Sequence, residues 1–197
     1  MTVELPRPWR RARPEPGPEY RSILVVDIAG FGRWPNPHQI VARDVLTTAV
    51  RDGLRAVGVR QADLGWQDRG DGMMVLIPAR VSKVDILDPV IPLVAARLRR
   101  HNATSAPRIR VRVSLHAGEV HRDAHGWVGS DLNTACRLAD ADPVRAGLLG
   151  DAVLVVSDVL YQSVVRHGYR RVDPAAFTRV EVAEKEVREP AWVAQVS

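Results

Sequence analysis

The run Ser22-Ile-Leu-Val-Val-Asp27, continuing into Ile28-Ala-Gly-Phe-Gly32, decides the reading of this chain. Its central residues are all aliphatic and a glycine-rich turn follows, the pattern of a short buried strand. A carboxylate beside such a strand is costly unless something positive meets it. A second apolar run, Met73-Met-Val-Leu-Ile77, follows the tight turn Asp68-Arg-Gly-Asp-Gly72, which sets Asp71 at its entrance. Taken singly, Asp27 reads as a strand-end cap and Asp71 as a turn residue. Converging beside a glycine-rich turn with free backbone N–H groups, they make a place for divalent metal and polyphosphate.

Outward from these runs the periods alternate. Asn36-Pro37 predicts a helix start, with Asn36 as the cap. Ile40, Val41, Val45, Leu46, Ala49, Val50, Leu54 and Val57 keep helical spacing, and Gly58 stops it. Short strands are expected around 64–67 and 73–77, then a helix from about 84 or 88 to 101. Residues 108–117 alternate strictly, with arginines on one face and aliphatics on the other. A polar loop (121–129), a helix (130–141), a strand within 148–156, a helix capped by Ser157 and a strand pair (176–183 and 191–196) complete the pattern. Helices between non-neighbouring strands imply an α+β sandwich: a mixed, mainly antiparallel sheet with helices on one face.

The 197 residues suit one domain with a sizeable core. Residues 1–20 carry Pro6, Pro8, Pro14, Pro16 and Pro18 among arginines, which forbids regular structure and implies an extended arm before a domain at 21–197. No apolar stretch approaches the roughly 20 residues of a membrane span, and the start lacks the apolar centre of a secretory signal. With Cys136 the only cysteine, no internal disulfide is possible. A cytoplasmic protein without membrane contact is the expectation. The net charge of +5 suits an anionic ligand, but the arginines are scattered rather than striped, which argues against nucleic acid as partner.

Four blocks in order resemble the class III nucleotidyl cyclases, the adenylate and guanylate cyclase catalytic domain. They are Val26-Asp-Ile-Ala-Gly-Phe31, Arg69-Gly-Asp-Gly-Met-Met-Val75, Arg112-Val-Ser-Leu-His-Ala-Gly-Glu-Val120 and Gly129-Ser-Asp-Leu-Asn-Thr-Ala-Cys-Arg-Leu138. The resemblance spans about 22–196 and implies a ferredoxin-like cyclase core. It implies that Asp27, Asp71 and the Ile28 carbonyl hold two Mg²⁺ or Mn²⁺ ions, and that Ala29, Gly30, Phe31 and Gly32 approach phosphate oxygens. Arg112 would bind polyphosphate, although singly it also reads as a solvated strand-face charge. Asn133 and Arg137, four apart on one helix face, would orient the ribose and meet charge on the α-phosphate. Lys185, in Lys185-Glu-Val-Arg-Glu-Pro190, would meet the outer phosphates, though Glu186 stands where the family places glycine.

The family divides these groups between two domains, so one chain carrying both sets implies a head-to-tail homodimer acting on a nucleoside triphosphate. Its two base-reading positions fall on Gln67 and Gly126, which match neither the adenylate nor the guanylate pair. Gln67 can donate or accept, and Gly126 has no side chain. In this the chain resembles small stand-alone bacterial cyclases, including the cytidylate and uridylate cyclases of antiphage signalling, whose product activates a separate effector. A catalytically silent, nucleotide-binding homodimer is the alternative these two positions raise.

Overall fold

A computed structural model describes residues 17–196; most of the expected N-terminal arm, residues 1–16, lies outside them. The strands are β1 (Glu19–Ile28), β2 (Gly65–Asp68), β3 (Gly72–Pro78), β4 (Val111–Arg122), β5 (Trp127–Val128), β6 (Ala152–Ser157), β7 (Thr178–Glu184) and β8 (Val187–Gln195). They form one sheet in the order β2-β3-β1-β4-β6-β8-β7, with β5 paired to β4. All pairings are antiparallel except β4–β6. That parallel pair needs a crossover, and the crossover contains α4 (Ser130–Asp140) and α5 (Asp142–Ala146).

The fold is the expected α+β class, with its helices divided between both faces of the sheet. On one face, Leu24, Val26 and Ile28 pack with Leu46, Val50 and Leu54 of α1 (Asn36–Ala56). A short α2 (Lys83–Asp85) leads through a π turn into α3 (Ile91–Thr104), which adds Val94 and Leu98. Leu160 of α6 (Asp158–Ser163) joins them. On the other face, Ile23, Val25, Met74 and Leu76 meet Leu132, Ala135, Cys136 and Ala139 of α4. The expectation of helices on one face therefore holds for α1, α3 and α6 but not for α4 and α5. The cause lies in β1, whose core is continuously aliphatic, so both of its faces need cover. Each fully buried aliphatic side chain contributes roughly 1.5–3 kcal/mol.

Some boundaries differ from the sequence pattern for local reasons. Helix α1 begins at Asn36 itself, with Pro35 in the cap position and no side-chain cap bond. Gly58, at φ +76°, ends it as expected. Ile40 and Val41 are exposed rather than part of the core. Strand β4 starts at Val111, opposite the end of β1 at Ile28, and the loop before β6 holds the preceding arginines. Arg108 pairs with Asp151, and Arg110 donates to the Gly150 and Leu148 carbonyls. Among the described residues, no helix is long and apolar enough to cross a membrane.

Gly72 of β3 lies tight against β1. A Cβ there would lie 2.1 Å from the Val26 carbonyl oxygen, a backbone atom that cannot yield. Gly72→Ala is expected to cost about 3 kcal/mol, the upper end for overpacking, read as a lowered urea midpoint.

Candidate active site

Strand register builds the first part of the site. Asp27, near the end of β1, lies between Gly72 of β3 and Arg112 of β4. Arg112 Nη2 donates to Asp27 Oδ2, and each side chain is only 16% exposed. The buried Arg112 Nε has no partner among the described residues. The Asp71 carbonyl accepts the Ile28 N–H at 2.9 Å, which pins the second aspartate's turn to the end of β1. Gly70, at φ +86°, allows that turn. A cavity of about 120 Å³ opens there, lined by Asp27, Arg69, Asp71, Cys136 and Asp140 among others.

Burial pushes the Asp27 carboxyl up from 3.8 to about 6, Arg112 pulling it down and Asp71 adding to the rise. Because the folded-state value lies above the unfolded one, the folded chain holds an extra proton between about pH 4 and pH 6. This group's contribution to stability is therefore greatest at the acid end and is lost as pH rises through 6. In chelator-treated protein, the loss is expected to be about 2 kcal/mol between pH 4 and pH 7. Asp27→Asn is expected to remove that component of the slope in urea titrations.

The turn after β1 is held by the Ala29 N–H, which donates to the Arg110 carbonyl at 2.8 Å. Gly30 takes φ +75°, which favours glycine, and precedes a 3-10 turn over Phe31–Arg33. A Cβ at Gly32 would meet only open space. Phe31 leans on Trp34, their ring centres 6.1 Å apart, and both pack partly against the core.

The remaining candidates form two further groups. Asn133 is exposed on α4. Arg137, one turn on, donates from Nε to Glu186 Oε1 at 3.2 Å. Lys185 and Glu186 make the β7–β8 turn, with Lys185 exposed at φ +50°, a conformation few side chains adopt. A bond from its own backbone N–H, then Arg137 and Lys185, holds the Glu186 carboxyl below its ordinary range. Gln67 and Gly126 meet: a Cβ at Gly126 would lie 2.8 Å from Gln67 Nε2. Asp123 shapes this loop by accepting the His125 and Gly126 N–H groups. Trp127 packs over Gly65. Arg21 and Arg122 lie 4.9 Å and 5.6 Å from its ring centre.

Sequence reasoning missed Arg69, Cys136 and Asp140 as lining residues. Arg69 Nη1 donates to Cys136 Sγ at 3.2 Å. Their signal was present: Arg69 is two residues before Asp71, and Cys136 and Asp140 are one helical turn apart on α4.

The donor set fits a hard divalent cation. Asp27 and Asp71 offer carboxylate oxygens at the cavity, and Arg112, paired to Asp27, keeps a buried Nε without a partner among the described residues. Among the described residues, no three His, Cys, Asp or Glu side chains stand close enough to hold a metal alone. Mg²⁺ suits this arrangement, since it typically takes one or two carboxylates and completes its shell with water and substrate phosphates.

No family model and no curated protein sequence matches the chain. Solved structures do. The guanylyl cyclase Cya2 is 20% identical with a TM-score of 0.63, the match covering 91% of this chain and 93% of that one. An adenylate/guanylate cyclase/hydrolase from Silicibacter pomeroyi is 18% identical with a TM-score of 0.60, covering 90% and 96%. The non-canonical dimeric guanylyl cyclase domain of the RhoGC fusion protein from Blastocladiella emersonii is 14% identical with a TM-score of 0.57, covering 90% and 97%. The chain has the fold of the class III adenylate and guanylate cyclase catalytic domains.

Proposed function

We propose that this protein is a nucleotidyl cyclase, which converts a nucleoside triphosphate to a 3′,5′-cyclic nucleotide and pyrophosphate in a head-to-tail homodimer. The observation that carries this reading is the meeting of Asp27 and Asp71 at one cavity of a cyclase-type sheet, with Arg112 paired to Asp27. Two bound Mg²⁺ or Mn²⁺ ions would supply Lewis-acid activation of the ribose 3′ hydroxyl and neutralise the polyphosphate. Asp27, Asp71 and the Ile28 carbonyl would hold them, and Arg112, paired to Asp27 in the free chain, would turn to the polyphosphate. The 3′ oxygen attacks the α-phosphorus and the bond to pyrophosphate breaks. Asn133 of the other protomer orients the ribose. Arg137 meets the charge developing on the α-phosphate with a guanidinium fork suited to it. Lys185 meets the outer phosphates, and the backbone at Ala29–Gly32 approaches them.

The dimer is part of this reading: the cavity at Asp27 and Asp71 measures about 120 Å³, against the roughly 300–1,000 Å³ of a small-molecule site, and a second protomer would add to its wall. For the base, Gln67 stands alone, because Gly126 has no side chain to read with. A pyrimidine needs fewer readers than a purine, so we assign cytidine or uridine triphosphate as the substrate. The product is a messenger for a separate effector in antiviral defence. Incubation with each of the four triphosphates and Mn²⁺ is expected to give a cyclic pyrimidine nucleotide by mass spectrometry. No cyclic product from any of the four, at high protein concentration, would exclude the cyclase reading.

One observation favours a second reading, a silent nucleotide-binding module. Both proposed phosphate arginines are engaged by carboxylates of their own chain, Arg112 by Asp27 and Arg137 by Glu186. Tight triphosphate binding without turnover would select it.

A further inference from the structure

We infer that Asp131 is a positioning residue that seats α4, and with it Asn133 and Arg137, by locking the helix to β4 through His116. The role assigned to those two residues rests on the cyclase reading; the lock itself rests on geometry.

Along β4, alternate residues share one face. Arg112, Ser114, His116 and Gly118 lie on the α4 side, and all but Arg112 engage that helix. Ser114 Oγ donates to the Ala135 carbonyl at 2.6 Å. Asp131 Oδ2 accepts the Glu119 N–H at 2.7 Å, and Asp131 Oδ1 lies 3.3 Å from His116 Nε2. His116 Nδ1 in turn lies 2.8 Å from Ser157 Oγ. His116 and Ser157 are only 6% and 2% exposed. Ser157 occupies the cap position of α6 but makes no cap bond, its hydroxyl being directed to the imidazole. A neutral His116 with its proton on Nε2 donates to Asp131 and accepts from Ser157, which satisfies every member of the chain.

Gly118 shows how tightly the lock is built. A Cβ there would lie 2.1 Å from Asp131 Oδ2, so the carboxylate lies flat against bare backbone. The His-x-Gly pattern of β4 and the aspartate two residues before Asn133 are thus one device, divided between two motifs. Asp131 also stands in the first turn of α4, where a negative charge suits the helix dipole. With Asp131 turned to β4, Asn133 stands roughly 200° around the helix and Arg137 one turn beyond it. A small rotation of α4 would carry both substrate-facing groups away together.

The test compares Asp131→Ala with Asp131→Asn in the full chain. Alanine removes both bonds. Asparagine keeps an acceptor for the Glu119 N–H and offers an N–H to His116, whose tautomer then reverses and donates to Ser157. We expect alanine to lower kcat about tenfold to a hundredfold, the cost of misplacement near 1 Å, with KM changed less than about threefold. Asparagine is expected to restore kcat. Mixed with Asp71→Ala chains, the alanine variant is expected to regain activity; mixed with Asn133→Ala chains, it is not, because both lesions then fall on the same half of the site. Amide hydrogen exchange gives a readout without turnover: alanine accelerates exchange in the first turns of α4, and asparagine does not. Unchanged α4 exchange in the alanine variant, or an asparagine variant as impaired as alanine, would overturn the lock. An inactive wild type whose α4 exchange still responds would overturn the cyclase reading and leave the lock standing.

Discussion

Asp71→Ala is expected to abolish cyclic nucleotide formation, by at least about a thousandfold, while leaving the fold intact. The side chain is exposed on its turn. What holds the turn is backbone. The Asp71 carbonyl accepts the Ile28 N–H, and the Arg69 N–H donates to the Gly72 carbonyl at 3.0 Å. Alanine keeps both bonds and removes only the carboxylate, so a lost activity reports chemistry rather than unfolding. The same change at Asp27 is less clean. It would leave the largely buried Arg112 guanidinium without its carboxylate, which costs about 3–5 kcal/mol when a buried pair is broken. The decisive outcome is an Asp71→Ala protein with an unchanged urea midpoint and no product. Retained activity would remove Asp71 from the metal site.

The second large effect concerns assembly. Asp71→Ala and Asn133→Ala chains are each expected to be inactive alone. Mixed in equal amounts and allowed to exchange protomers, they are expected to recover about a quarter of wild-type activity. Half of the dimers are then mixed, and each mixed dimer keeps one intact site: metal carboxylates from the Asn133→Ala chain and α4 from the Asp71→Ala chain. Asp27 and Asp71 line one cavity, with Arg112 paired to Asp27, whereas Arg137 is tied to the β7–β8 turn of its own chain. Absence of recovery, with protomer exchange verified by mass spectrometry, would exclude the shared site.

How much was legible beforehand differs with the range of the interaction. The strand at Ser22–Asp27 and the turn at Asp68–Gly72 were readable because composition and turn chemistry are local. The spacing of Asn133 and Arg137 was readable because a helix converts four residues into one face. The placement of α4 opposite α1 was implicit in the unbroken aliphatic run of β1, but nothing in that run names which helix covers which side. The seating of Arg108 and Arg110 ahead of β4 was not readable, because the groups that hold them lie some forty residues away, at 148–151. The same holds for Arg137 and Glu186, 49 residues apart. Gln67 and Gly126 were singled out only by family resemblance, and their closeness comes from the packing.

One face of β4 carries Arg112 at its start and the grip on α4 further along. In the proposed dimer those two ends serve different sites, so a single strand is shared property of both. Nucleotide that drew Arg112 away from Asp27 at one site would act on the strand that seats the helix serving the other, so the two sites are expected to bind with linked affinities. Titration of the dimer with a non-cyclisable triphosphate is expected to depart from a single hyperbola, and Asp131→Ala is expected to bring it back toward one.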